Sequence, residues 1–178
     1  KLLLAYGTVS QLGFMVLLVG IGTKAAALAG LAMTLAHALF KGALFLIVGV
    51  VDHSAGTRDL TRLSGVGRRM PYVAAAAALA CASMAGLPPA FGFIAKESAY
   101  EALVDLNLPS SDTATLPPLA AWLLVSGVVF ASAITLAYSL RFWWGAFWDK
   151  PGVPATPVHR NPAGLVAPPF LLAGAGIA

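Results

Sequence analysis

The fold is decided by one stretch of the chain, residues 26–51, which reads AALAGLAMTLAHALFKGALFLIVGVV. It is longer than the about 20 apolar residues that a helix needs to cross the hydrocarbon core of a bilayer. His37 and Lys41 are its only ionisable side chains. The stretch therefore predicts a membrane-spanning helix that carries two polar groups at membrane depth.

The composition of the whole chain agrees with a membrane protein. Of the 178 residues, 59% are hydrophobic and 10% are charged, whereas soluble domains average about 25% charged residues. With a mean hydropathy of +0.84, the chain has too little polar surface for a water-soluble globule. These values exclude an ordinary soluble enzyme and a disordered chain, and the single cysteine, Cys81, excludes a disulfide scaffold.

Further apolar runs lie on both sides of residues 26–51. Only helices and closed barrels span lipid, because backbone groups there must bond internally, and the runs lack the period-two alternation of barrel strands. We therefore expect an all-α polytopic bundle with one discontinuous helix, and we expect it to be a piece of a larger protein. The expected helices are 2–22, 26–51, 71–87, 90–106 and 119–148, with a polar segment at 52–70, a loop at 107–118, a proline-rich linker at 149–162 and the start of a further, truncated helix at 163–178.

The orientation depends on how often residues 71–106 cross the membrane, because Pro88 and Pro89 divide this segment into one interrupted crossing or two separate ones. One crossing places these basic residues on the same side, opposite Lys24: Lys1, Arg58, Arg62, Arg68, Arg69, Lys150 and Arg160. The positive-inside rule then assigns that side to the cytoplasm. Two crossings move Lys150 and Arg160 to the other side and leave the orientation open. In both cases the net charge of +4 indicates topology and anionic lipid, and no nucleic-acid partner is expected.

A polar stripe runs along the central stretch. At 100° per residue Thr34, His37 and Lys41 lie on one face of a helix. A lysine at mid-span costs about 2.5–3.5 kcal/mol on insertion scales, so it faces the interior of a bundle or a watery cavity and marks an ion pathway by default. Histidine accepts a proton on one ring nitrogen and releases it from the other. The stripe suits proton transfer; the alternative is a polar cluster that only holds helices together.

A second constellation lies in residues 84–105, MAGLPPAFGFIAKESAYEALVD. Its glycines and prolines end one helix and start another; they are Gly86, Pro88, Pro89 and Gly92. Transporters place such breaks at their ion sites. Lys96 and Glu97 follow the break directly and are the candidate relay residues there, whereas we interpret Glu101 and Asp105 as an amphipathic end that emerges into water.

The first apolar run, residues 2–22, contains Ser10 and Gln11. Two interpretations are equally plausible: these side chains extend a hydrogen-bonded water wire, or they stabilise the packing of helices. The sequence contains no nucleophile–base pair, metal-ligand cluster or phosphate-binding glycine loop. We therefore expect no catalytic residue, cofactor or metal.

Four segments carry a family resemblance: LLLAYGTVSQLG (2–13), HALFKGALFLIVGVVDHSAGTRDL (37–60), AGLPPAFGFIAKE (85–97) and SLRFWWGAF (139–147). They resemble the proton-translocating antiporter-like family, which includes the large subunits of Mrp-type sodium/proton antiporters and the membrane-arm subunits of NADH:quinone oxidoreductase and related hydrogenases. The amino-acid sequences of these segments are most similar to the Mrp branch.

The resemblance implies the second half of a core built from two inverted helical repeats. It implies that 71–87 and 90–106 are separate helices, the second of them discontinuous. It also implies that Lys41 is the central relay lysine, that His37 is its partner and that Lys96 is the terminal lysine on the broken helix. Three positions depart from the pattern. Met33 stands where some relatives carry another histidine, Gly7 replaces the serine of a usual Tyr-Ser-Thr, and Ala95 replaces a frequent serine before Lys96.

Three functions remain open at this point. The first is a subunit of an antiporter that exchanges protons for sodium or another monovalent cation, in a prokaryotic cell membrane with other membrane subunits. The second is a proton-pumping subunit of a redox-driven complex. The third is a structural bundle whose lysines are silent.

Overall fold

In the computed structural model, described for residues 1–106, 117–159 and 162–177, the chain is a bundle of helices, which confirms the all-α prediction. The helices are α1 (Leu2–Gly20), α2 (Lys24–Ala55), α3 (Val66–Arg69), α4 (Pro71–Ala85), α5 (Phe91–Asp105), α6 (Pro118–Phe147) and α7 (Ala163–Ala175). Most of the loop predicted at 107–118, including Asp112, lies outside the described residues, as does Arg160. In the described part, α1, α2 and residues Leu119–Phe147 are long and apolar enough to cross a membrane.

Helix α2 is the spine of the bundle. Its 32 residues give a length of about 48 Å. It begins after Thr23, whose hydroxyl accepts a hydrogen bond from the backbone N–H of Ala26 at 3.2 Å. It ends at Gly56, which adopts a left-handed conformation with φ +66°. We expected this helix over 26–51 and a polar segment from residue 52. The structure extends the helix to Lys24–Ala55, because a glycine in the left-handed conformation, here Gly56, stops a helix more effectively than a change to polar residues.

Small residues let the neighbouring helices approach α2. The buried faces are rich in alanine: Ala29, Ala36 and Ala43 on α2, Ala76, Ala77 and Ala80 on α4, and Ala95 and Ala99 on α5. Within a membrane, association rests on close van der Waals packing, because lipid tails are as apolar as the side chains themselves. Leu44, Ile47 and Val50 fill the space that alanine leaves.

Helices α4 and α5 form one interrupted crossing. Each has 15 residues, too few to span the bilayer alone. The two helices contact α6 at successive positions, with α4 near the C-terminal end of α6 and α5 near its middle. The Trp143 Nε1 donates to the carbonyl of Ala74 in α4 at 2.9 Å, and the Tyr100 hydroxyl in α5 donates to Ser132 at 2.7 Å. The structure thus favours the first of the two topologies that the sequence left open, and it differs from the two separate helices that the resemblance implied.

This topology gathers the described basic loop residues at one end. Lys1 and Arg58 border the same small cavity, and Arg68 pairs with Asp149 at 2.7 Å. Lys24 begins α2 at the other end. By the positive-inside rule we expect the basic end in the cytoplasm.

The segment after α6 is bonded to that end. The Lys150 ammonium donates to the carbonyls of Leu60, Leu63 and Gly145. The backbone N–H of Thr156 donates to the carbonyl of Ser64 at 3.0 Å. The described part of the expected linker therefore closes the basic end of the bundle instead of serving as a free spacer.

The start of α5 depends on a glycine. A Cβ atom at Gly92 would overlap the carbonyl oxygen of Ser83 in α4, and this backbone atom has no flexible side chain to give way. Gly92→Ala should therefore lower the free energy of unfolding by about 1–3 kcal/mol. The measurement is the melting midpoint of the purified full-length protein in its complex.

Gly127→Ala is the matched control, because Gly127 is a helical glycine with open space around its Cα. It should leave the midpoint unchanged or raise it slightly. Equal midpoints for the two variants would contradict the close approach of α4 and α5.

Candidate functional site

Lys41 lies in the core of the bundle with 4% of its surface exposed. Its ammonium donates to the backbone carbonyl of Leu4 in α1 at 3.1 Å. Among the described residues the ion pairs involve only Arg58, Arg62 and Arg68, so Lys41 has no carboxylate partner there. A buried charge with one carbonyl partner is poorly compensated and can exchange a proton without breaking an ion pair.

Four helices meet at Lys41. On α1, a Cβ atom at Gly7 would lie 2.8 Å from its Nζ, so the ammonium packs directly against this glycine. On α6, the ring of Tyr138 has its centroid 5.8 Å from the Nζ. On α4, the buried thiol of Cys81 lies within electrostatic range. The lysine that the sequence placed at mid-span thus occupies a junction of α1, α2, α4 and α6.

His37 lies one turn before Lys41 and is half-buried. Its ring meets Phe40 edge-on, with the centroids 5.3 Å apart. The buried Nδ1 has no hydrogen-bond partner, although buried polar atoms nearly always have one. This nitrogen remains free to accept or donate a proton.

The structure does not bring the two predicted lining residues to Lys41. Thr34 is exposed, and its hydroxyl donates to the carbonyl of Gly30 at 2.8 Å. Ser10 lies on the exposed face of α1, whereas Gln11 beside it is 4% exposed and points into the bundle. One residue along a helix changes the direction by 100°, so Gln11, and not the predicted lining residue Ser10, is the inward-facing member of the pair.

Lys96 lies directly at the helix break. It is 7% exposed, and its ammonium donates to the carbonyl of Ala85, the last residue of α4, at 2.9 Å. Gly86 ends α4 with φ +82°. A cation at this position is stabilised by the negative end of the helix dipole and satisfies a carbonyl that has lost its helical partner. The break thus supplies the binding partner for Lys96.

A cavity of about 700 Å³ opens beside Lys96. Its wall includes the side chains of Glu97, Glu101 and Asp105, together with Tyr100 and Ser132. Glu97 is exposed, and no ion pair joins it to Lys96 in the described structure. The arrangement places Lys96 at the wall of a cavity that three carboxylate side chains also line.

Sequence reasoning missed the contribution of α6 to the site. Tyr138 lies within an apolar run that was interpreted as a plain span. Ser132, Thr135 and Ser139 share the side of α6 that faces the bundle, and a periodicity count along 119–148 would have revealed this polar face. The described residues contain no cluster of side chains suited to a metal ion.

With this geometry described, comparison with known proteins identifies the family. The sequence profile of the NADH:quinone oxidoreductase/Mrp antiporter transmembrane family matches residues 1–114, and the chain belongs to that family.

Individual relatives point to the Mrp branch, as the sequences of the motifs predicted. The A subunit of a Na(+)/H(+) antiporter from Bacillus subtilis is 33% identical, with 97% of this chain and 23% of the relative covered. The probable A/B subunit of a K(+)/H(+) antiporter from Rhizobium meliloti is 36% identical over 94% of this chain and 16% of the relative. The structure of the Mrp complex from Dietzia sp. DQ12-45-1b contains a similar chain with a TM-score of 0.80 and 42% identity, covering 97% of this chain and 18% of that one. The chain thus spans about a fifth of the length of these relatives.

The contact between Gly86 and Lys96 can be tested by stability. Gly86→Ala strains a left-handed backbone, at a cost of about 1–2 kcal/mol, and also places its Cβ 2.6 Å from the Cδ of Lys96. It should lower the melting midpoint more than Gly22→Ala, since Gly22 has φ +80° but open space around it.

In a Lys96→Ala background the extra cost of Gly86→Ala should disappear, because the overlapping atoms are gone. Additive effects of the two changes would show that Lys96 does not pack on Gly86.

Proposed function

We propose that this chain carries one half of the proton pathway of a multisubunit monovalent cation/proton antiporter, with His37, Lys41 and Lys96 as its relay and Glu97 at its outer end. The observation that carries the proposal is the pair of lysines buried at membrane depth, each bonded to a backbone carbonyl. A purely structural bundle does not explain them, because apolar residues would pack there at lower cost.

The chemistry follows from the surroundings of the two ammonium groups. Each lysine is charged only when it is protonated. Its neutral form is also tolerated, because no carboxylate among the described residues forms an ion pair with it. A neutral lysine accepts a proton from water or from a neighbouring imidazole, and His37 stands one turn from Lys41 with a free ring nitrogen. A charge arriving at one group then disfavours the charge on the next, which drives the proton onward.

The route to water is proposed to run past the helix break. Lys41 lies beside Cys81 on α4, and Ala85, the partner of Lys96, is one helical turn further along. Beyond Lys96 the cavity lined by Glu97 and Glu101 is open to the surface. Its acidic margin concentrates protons and monovalent cations at the mouth.

The cation is sodium or another monovalent ion, and relatives named for Na(+)/H(+) and for K(+)/H(+) antiport are consistent with both. We place the protein in a prokaryotic cell membrane, as a multi-pass chain that contacts other membrane subunits. It belongs to a transporter and is not an enzyme, and the lipid bilayer covers the apolar faces that other subunits leave free.

Lys41→Ala and Lys96→Ala should each abolish cation-dependent proton movement, by at least about 100-fold, because a positioned proton-transfer group contributes that much or more. The measurement is the quenching of a pH-sensitive dye in membrane vesicles that contain the complete complex, after addition of sodium or potassium. Lys24→Ala is the control, because Lys24 is exposed at the helix start, and it should retain full activity.

Intact ion exchange in either relay variant at normal expression would refute the relay. Proton movement that requires NADH and quinone instead of a cation gradient would select the redox-driven alternative.

A further inference from the structure

The polar groups around Lys41 are incompletely satisfied on the side of α1 and α6. The side-chain oxygen of Gln11 and the hydroxyl of Tyr138 are both buried and neighbour each other, and neither makes a hydrogen bond of normal geometry. Gln11 as a whole is 4% exposed. Leaving a buried donor or acceptor unpaired costs about 1–3 kcal/mol, so two such groups beside a buried lysine call for a physical reason.

Gly7 shows that these groups share one space with the lysine. A Cβ atom built there would lie 2.8 Å from the Nζ of Lys41 and 3.1 Å from the hydroxyl oxygen of Tyr138. The two polar atoms are therefore near enough for one water molecule to hydrogen-bond both. Gln11 lies one turn further along the same face of α1 and neighbours the Tyr138 hydroxyl.

The ring of Tyr138 also faces the ammonium, with the centroid 5.8 Å from the Nζ. An aromatic face attracts a cation at this distance, and more strongly where water is excluded. The ring and the carbonyl of Leu4 thus approach Lys41 from α6 and α1 and hold its ammonium between the two helices.

We propose that Tyr138 is a positioning residue for Lys41. Its ring holds the ammonium, and its hydroxyl, together with Gln11, binds a water molecule over Gly7 that gives Lys41 a second hydrogen-bonding partner between α1 and α6. Tyr138 itself keeps its proton; its role is to orient Lys41 and the water. This inference rests on the proposed function, since it assigns a residue that positions the relay lysine.

The first variant is Tyr138→Phe, which removes the hydroxyl and keeps the ring. Assayed as the full complex in vesicles, it should slow cation-dependent proton movement about fivefold, the loss expected for one hydrogen bond, with an unchanged melting midpoint. Tyr72→Phe is the matched control: Tyr72 is 75% exposed at the start of α4, and this variant should retain the original rate.

The second variant tests the hydroxyl directly. In the Tyr138→Phe background, Gly7→Ser brings a new hydroxyl into the space between the Lys41 Nζ and the ring and should restore most of the lost rate. Gly7→Ala fills the same space with an apolar atom and should not restore it. Rescue by serine but not by alanine is an outcome that a merely structural role of Tyr138 does not produce.

A wild-type rate for Tyr138→Phe, or equal rates for the serine and alanine variants, would overturn the role of Tyr138 while loss of activity in Lys41→Ala still upheld the relay. Full activity of Lys41→Ala would instead remove the proposed function itself.

Discussion

Two buried ammonium groups without a described carboxylate partner impose the constraint on which the rest of the structure depends. In hydrocarbon neither a charge nor a free carbonyl is tolerated alone. The bundle satisfies both demands at once, because Lys41 bonds to the carbonyl of Leu4 and Lys96 bonds to the carbonyl of Ala85. A carbonyl is a weaker partner for an ammonium than a carboxylate, and the proposed relay needs lysines whose protonation state can change.

The small residues around the lysines follow from the same constraint. Gly7 leaves space for the ammonium of Lys41, and Gly86 leaves space for the stem of Lys96. Gly92 lets α5 start against the backbone of α4. The alanine-rich faces then bring α2, α4 and α5 close enough that polar side chains reach across helix boundaries. The break between α4 and α5 is therefore part of the site, because it exposes the carbonyl that Lys96 needs.

The two ends of the bundle are built differently. The basic end is closed by the segment after α6, where Lys150 binds three carbonyls and Arg68 pairs with Asp149. Beside Lys96, by contrast, a cavity lined by Glu97, Glu101 and Asp105 opens next to α5. A bundle that is closed at its basic end and has an acidic cavity beside the helix break suits the proposed half-pathway, which exchanges protons with one aqueous side.

The sequence by itself determined the membrane-spanning class, the helical fold, the polar line through His37 and Lys41, and the break before Lys96. These features depend on composition, on a period of 3.6 residues and on the backbone chemistry of glycine and proline, all of which are local. Only the tertiary structure decided that α4 and α5 make one crossing, that Gln11 rather than Ser10 faces the core, and that Leu4, Gly7 and Tyr138 surround Lys41. Those facts depend on which helices pack together and in what rotation, and residues distant in sequence set both.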